Sequence, residues 1–374
     1  MALTKEQILD RLAAIKSPDG KPLPSSGALS EIVVSDGKVF FSIAVDAAAV
    51  KAWEPVRKSV EDAVRSIPGV QSAMIALTAE RAGGGAGGAP QRGGGTPPPA
   101  AHGGGPSGVP GVATIIAVAS GKGGVGKSTT AINLALGLRD LGLKVGVLDA
   151  DIYGPSLPKL LAIKERPQTL GGTRLLPISS HGLSVMSIGF LIEEETPMIW
   201  RGPMVMSALT QMLREVEWGT LDVMVVDMPP GTGDAQLTMA QQVPLAGAVI
   251  VSTPQDLALI DARRGIAMFK RVNVPVLGIV ENMSYFLCPS CGTRSDIFGH
   301  GGARHEADRL NVPFLGEVPL DMTIRETSDA GLPVVATRPD GPHAKVYREI
   351  ATRVRDQLQG RSRARGAPNI VIEA

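Results

Sequence analysis

Thr114-Ile115-Ile116-Ala117-Val118-Ala119-Ser120 leads directly into Gly121-Lys122-Gly123-Gly124-Val125-Gly126-Lys127-Ser128 and then Thr129-Thr130, and this stretch decides the fold. Its first part is a continuous apolar run of the kind that forms a strand buried on both faces. The second part satisfies G-x-x-x-x-G-K-[ST], and a helix from about Lys127 to Leu141 follows it. Gly121, Gly123, Gly124 and Gly126 let backbone N–H groups, that of Val125 included, close around phosphate oxygens, and the helix N-terminus adds a partial positive charge. The motif assigns Lys127 to the β and γ phosphates, the Ser128 hydroxyl to Mg²⁺ and Thr129 to the α phosphate. Lys122 is an extra cation that a phosphate loop does not require. It is either solvated or reaches a phosphate across a dimer interface.

Outward from the loop, apolar strands alternate with helices. Strands are expected at 144–148, 221–226, 246–251 and 274–280, with helices near 203–216, 257–272 and 301–310. The pattern predicts an α/β P-loop NTPase, a mostly parallel sheet flanked by helices, with ligands bound beyond the strand C-termini. Two strands end in carboxylates there. Asp149-Ala150-Asp151 ends one, and Asp227-Met228-Pro229-Pro230-Gly231 ends another in the Walker B manner, with Asp227 and Asp151 as candidate Mg²⁺ ligands. The Gly231 N–H is a candidate sensor of the γ phosphate.

Upstream, residues 1–80 read as a small α/β domain. Thr4 and Gln7 form a capping box before Ile8, Leu9, Leu12 and Ile15. Asp36-Gly37 predicts a hairpin between two β-branched and aromatic runs. Val50, Trp53, Val56, Val60, Val64 and Ile67 have helical spacing, and a last strand is expected at about 70–77. Residues 81–111, rich in Gly, Pro and Ala, predict a flexible linker. The NTPase domain is then expected over 112–360, with a tail over 361–374.

With 374 residues, a formal charge of +1 and 3% aromatics, the chain offers neither a field for nucleic acid nor a stacking platform for bases. No apolar run approaches the ~18 residues that span a bilayer. Ile350, Val354 and Leu358, interrupted by Gly360, form too thin a stripe for a membrane-binding helix, and the nearby arginines read as a solvated tail. The cysteines are Cys288 and Cys291 alone, which suits a reducing, cytoplasmic setting. Cys288-Pro289-Ser290-Cys291 presents two thiolates on one turn, too few for a four-ligand cluster or zinc site unless a two-fold partner adds two more. Spacing alone serves an iron–sulfur cluster and a zinc ion equally, with His300 and His305 as zinc candidates, and a redox pair ranks behind both. His102, His181 and His343 sit in linker or loop contexts.

K-G-G-V-G-K-S-T-T at 122–130 resembles the deviant Walker A of the nitrogenase iron protein, MinD and ParA class. D-A-D-I-Y-G-P-S at 149–156, R-G-P-M at 201–204, D-M-P-P-G-T-G-D at 227–234, S-T-P-Q-D at 252–256 and N-M-S-Y-F-x-C-P-x-C-G at 282–292 resemble the Mrp/ApbC family of iron–sulfur cluster carriers over roughly 113–350. Residues 1–80 resemble a SufT-like domain, although Val45-Asp46-Ala47-Ala48 lacks the cysteine many such domains carry. The resemblance implies a homodimer packed across two nucleotides, with Lys122 on the partner's nucleotide. Asp151 would position or activate the attacking water, Asp227 and Gly231 would form the second switch, and Asn282 would contact adenine. It further implies slow ATP hydrolysis coupled to a [4Fe-4S] cluster shared by Cys288 and Cys291 of two subunits. The cluster would pass between an assembly scaffold and apo iron–sulfur proteins. A membrane- or DNA-positioning ATPase and a zinc-stabilised regulatory NTPase are the other classes compatible with these motifs.

Overall fold

The computed structural model describes residues 4–30, 32–35, 38–46, 49–70, 72–80, 108–170, 174–192 and 202–365. The Asp36-Gly37 turn, Ala47 and Ala48, linker residues 81–107, Arg201 and the tail beyond 365 lie outside them. The chain divides into two compact units.

In the N-terminal unit, α1 (Lys5–Leu12) starts at the predicted capping box, with Thr4 and Gln7 bonding reciprocally. Strand β1 (Val33–Ser35) pairs antiparallel with β2 (Lys38–Asp46), Ser35 opposite Lys38. Helix α2 (Val50–Arg65) then crosses to β3 (Ser72–Glu80), which lies parallel to β2 from Lys38↔Ser72 to Asp46↔Glu80. That strand begins and ends a little later than the expected 70–77, because the parallel register with β2 sets its length. Ile8, Leu12, Phe41, Ile43, Trp53, Val60, Val64 and Ile75 close one core.

The larger unit opens with β4 (Ile115–Ala119), α3 (Lys127–Asp140), β5 (Val145–Asp149) and the short α4 (Leu157–Leu160). There follow β6 (Thr169–Leu170), β7 (Arg174–Leu175), β8 (Ile178–Ser180) and β9 (Leu183–Ser187). Helix α5 (Gly202–Arg214), whose residues up to Thr210 group with the smaller unit, precedes β10 (Val223–Asp227), α6 (Asp234–Gln242), β11 (Gly247–Ser252), α7 (Asp256–Arg271) and β12 (Val276–Asn282) in the chain. A small hairpin, β13 (Phe286–Leu287) with β14 (Arg294–Ser295), leads to α8 (Gly302–Leu310), β15 (Phe314–Val318), α9 (Met322–Asp329), α10 (Val334–Thr337) and α11 (Pro342–Arg365).

Eight strands form one sheet in the order β15-β12-β11-β4-β10-β5-β9-β8, parallel except for the antiparallel β8 at one edge. Strands β4, β5, β10, β11 and β12 are buried along their whole length, as their unbroken apolar runs require. Helices α3 and α11 pack together, and α7 packs with α8. Strand β4 lies in the middle, flanked by β10 and β11, so its loop opens where the connections diverge to either side.

The C-terminus differs from expectation. Helix α11 continues through Gly360 to Arg365, because Tyr347, Ile350, Ala351 and Val354 anchor its inner face in the core. One interior glycine costs only about 1 kcal/mol. The Ile350–Val354 stripe is therefore core surface.

Candidate nucleotide and cysteine sites

Charged side chains are rare in the interior of a parallel sheet because burying one without a partner is costly. Among the described residues of the larger unit, the buried charged side chains are Lys127, Asp149, Asp227 and Glu281, all at strand C-termini or the helix start beside them. Asp149 and Asp227 are register partners on the neighbouring parallel strands β5 and β10, and both are fully buried. Lys127 Nζ donates to Asp227 Oδ1 at 2.5 Å and reaches the Ser128 hydroxyl at 3.2 Å. The other oxygen of Asp227, Oδ2, is buried with no hydrogen-bond partner. An unmatched carboxylate oxygen beside a serine hydroxyl is a donor set fitted to a hard divalent cation.

The phosphate loop surrounds a cavity of about 450 Å³ lined by Ser120, Gly123, Gly124, Gly126, Lys127, Ser128, Thr129, Asp151 and residues of the following loops. Gly124 and Gly126 have φ of 80° and 78°, which only glycine adopts freely. Gly126 has a second constraint, since a Cβ there would lie 2.2 Å from Asn282 Nδ2. Asn282 does not line the cavity. Its amide supports the loop from behind, donating to the Val125 carbonyl at 2.9 Å. Gly121 is pressed against the Asp261 backbone of α7, where a Cβ would come within 2.3 Å of two backbone atoms. The Gly231 N–H, read from sequence as a phosphate sensor, here donates to Ser120 O at 3.0 Å. The Lys122 side chain is half-buried, does not line the cavity, and makes no ion pair among the described residues.

Asp149 is the residue that sequence reading passed over. Its Oδ2 accepts from Ser156 N at 3.0 Å, Leu157 N at 3.2 Å and Ser187 Oγ at 2.9 Å, and its Oδ1 accepts from Asp151 N at 3.1 Å. One carboxyl therefore pins the whole loop that carries Asp151. Burial, and then the Asp227 charge beside it, push Asp149 up to about 7 against the pull of Leu157 N–H, Ser187 and Lys127. Two strand-end aspartates two residues apart were the available signal. Of the two, Asp149 is fully buried and is the anchor. Asp151 lies at the cavity wall, and burial raises its carboxyl above the usual range although Lys127 opposes this. A raised carboxyl pKa suits proton transfer near neutral pH.

Far along the chain, the β13–β14 hairpin holds the cysteine turn. Gly292 N donates to Cys288 O at 2.8 Å, and Cys288 N donates to Thr293 O at 3.0 Å. Cys288 is half-buried and Cys291 exposed. Cys291 Sγ lies 3.2 Å from the Thr293 hydroxyl, whose hydrogen bond holds the thiol below its usual range. A lowered thiol is richer in thiolate, the form that binds metals. Among the described residues, no three His, Cys, Asp or Glu side chains converge as a metal site. His300 turns instead to Asp296, Nδ1 to Oδ2 at 3.0 Å, and His305 is exposed on α8. Both histidines are exposed.

Residues 111–355 match the NUBPL iron-transfer P-loop NTPase family model, and residues 5–75 match an iron–sulfur cluster assembly protein model. The chain belongs to the NUBPL iron-transfer P-loop NTPase family. Among members of this kind, an iron–sulfur cluster carrier protein of Synechocystis sp. is 43% identical over 361 residues, covering 94% of this chain and 97% of the relative. The iron–sulfur cluster transfer protein NUBPL of Dictyostelium discoideum is 53% identical over 270 residues, 71% of this chain and 84% of the relative. A solved nucleotide-binding protein of Archaeoglobus fulgidus, in complex with ADP, is 40% identical and has a TM-score of 0.55, covering 63% of this chain and 91% of that one. The NTPase fold expected from sequence is the fold observed. Among the described residues, no helix is long and apolar enough to cross a membrane.

Proposed function

We propose that this chain is an ATP-dependent carrier of a [4Fe-4S] cluster, which Cys288 and Cys291 hold jointly with the same pair of a second copy. The observation that carries this reading is the isolation of the two cysteines. They share one turn, Cys291 is exposed and thiolate-prone, and no third ligand within the described chain comes near. Two thiolates complete a four-ligand set only by two-fold duplication, and an all-thiolate set favours an iron–sulfur cluster. The names of the relatives, cluster carrier and cluster transfer protein, support the same cargo.

At the nucleotide site the phosphates would lie in the glycine cradle, with Lys127 neutralising the β and γ oxygens and Thr129 bonding the α phosphate. Ser128 and Asp227 would hold Mg²⁺, whose chemistry there is to neutralise charge on the phosphate oxygens. Asp151, held by Asp149, orients the attacking water and accepts its proton as the bond from the γ phosphorus to the leaving oxygen of ADP breaks. Taking up a γ phosphate moves the Gly231 N–H from Ser120 O to the nucleotide. Lys122 reaches the partner's nucleotide, a role supported by its making no ion pair among the described residues. Recipients are apo iron–sulfur proteins, and the donor is an assembly scaffold.

Anaerobic reconstitution of the full chain with iron and sulfide tests the cargo. A [4Fe-4S] Mössbauer signature at one cluster per two chains is expected, lost in Cys288→Ala/Cys291→Ala. An undiminished cluster in that double variant refutes the reading.

A further inference from the structure

Three of the four buried charged side chains among the described residues of the larger unit belong to the nucleotide site. The fourth, Glu281, is fully buried at the end of β12 and does not line the cavity. Its Oε1 accepts from the Ser284 hydroxyl at 2.6 Å and its Oε2 from Ala303 N at 2.6 Å. Those two residues are the feet of the excursion that carries Cys288 and Cys291. Ala303 is in the first turn of α8, whose N-cap is Gly301, a residue with no side chain to cap the helix. Glu281 caps it from the strand instead, placing a carboxyl where the free N–H groups gather.

The next residue, Asn282, grips the other site. Its amide donates to Val125 O in the phosphate loop and lies against Gly126. Met283 follows in the left-handed region, at φ 55°, an uncommon conformation for a non-glycine residue. Beyond it, Ser284 N donates to Val318 O of β15. Consecutive residues of one strand end thus hold the phosphate loop and both feet of the cysteine hairpin.

We propose that Glu281 and Asn282 form the mechanical link between the two sites. A shift of the phosphate loop on nucleotide binding moves Asn282 and, through the shared strand end, Glu281, which repositions the cysteine pair. Glu281 is a positioning residue in this scheme, touching neither nucleotide nor thiol. The inference rests on the cargo reading for its purpose but not for its test.

Because the sequence holds two cysteines and both lie on the hairpin, every reacting thiol reports on this loop. The experiment measures the reaction of the reduced, metal-free full chain with Ellman's reagent, alone, with Mg-ADP and with a non-hydrolysable Mg-ATP analogue. Nucleotide should change the wild-type rate by about fivefold, the lower end of coupling between distinct sites. Glu281→Gln should bind ADP with wild-type affinity by calorimetry while its thiol rate no longer responds. Ser284→Ala, which removes one foot only, should keep part of the response, and it decides the question alone if Glu281→Gln does not fold. A wild-type rate indifferent to bound nucleotide overturns the link, as does a full wild-type response in the variants. No iron is involved, so failure here is distinct from failure of the cluster reconstitution.

Discussion

Replacing Lys127 with methionine probes the centre of the nucleotide site without any ligand. The ammonium is 7% exposed and its carboxylate partner 0%, at 2.5 Å, so solvent screens the pair little. Methionine fills similar volume but leaves the Asp227 charge buried beside Asp149, its register partner. Removing one member of a buried pair in this way costs about 3–5 kcal/mol. For a unit of this size each kcal/mol moves the melting temperature by about 2–4 °C, so a fall of roughly 6–20 °C is expected. The assay is thermal unfolding of the nucleotide-free full chain, followed by circular dichroism. Asp227→Asn should be milder, because Lys127 lines the open cavity and can turn its ammonium to water. Lys127→Met/Asp227→Asn should then recover about 2 kcal/mol relative to Lys127→Met alone, a coupling well above the ~0.5 kcal/mol scatter of independent sites. A Lys127→Met chain melting within about 2 °C of wild type, a change under 1 kcal/mol, would refute the assignment of this pair as the buried electrostatic centre. So would a strictly additive cycle.

The Asp149 carboxyl, raised from 3.8 to about 7, binds its proton more tightly in the folded chain than in the unfolded one. Its contribution to stability is therefore fully present below pH 3.8 and is lost as pH rises to about 7, with Asp227 and Lys127 as the charges that face it. Unfolding of wild type against Asp149→Asn from pH 4 to 8 checks this, and the variant should lack that part of the slope. Asp149→Ala should speed hydrogen exchange at Ser156 and Leu157, whose N–H groups lose their acceptor. Gly126→Ala forces a left-handed alanine, costing about 1–2 kcal/mol, and displaces the Asn282 amide from Val125 O, costing about 1 kcal/mol more. Its melting temperature should drop by about 4–12 °C. Gly123→Ala meets nothing within 4 Å and should melt within about 2 °C of wild type.

Much of the larger unit was legible from sequence because its signals are local. A buried parallel strand reads as an unbroken apolar run, and the glycine loop has one short pattern, so β4, α3, β5 and β10 fell where expected. Strand order is a different matter: β15 beside β12 and β4 between β10 and β11 are pairings between distant segments, which no local pattern encodes. The anchoring role of Asp149 was passed over for a similar reason. Both are aspartates at one strand end, and only the register with Asp227 and Ser187 tells which carboxyl faces inward. Glu281 was silent because a glutamate capping a helix 22 residues downstream leaves no nearby pattern. Ile350 and Val354 looked thin as a membrane stripe, and they are thin because α3 and β15 cover them.

The packing of α11 on α3 has a consequence for how the molecule is made. Gly137 of α3 approaches α11 so closely that a Cβ would lie 2.9 Å from Ala351 Cβ. Asn133 Oδ1 accepts from Val335 N, 202 residues downstream, and Arg348 pairs with Asp140 across 208 residues. The helix that presents Lys127 and Ser128 is thus among the first parts of its unit to leave the ribosome, while the residues that cover its rear face are among the last. At about 5–20 residues per second, the interval is roughly 10–40 s. Over that time the nascent chain carries a phosphate loop whose supporting helix is bare on one side, and cover of the face bearing Asn133 and Gly137 waits for α10 and α11. The rear support of the phosphate loop is therefore complete only once α11 has docked on α3.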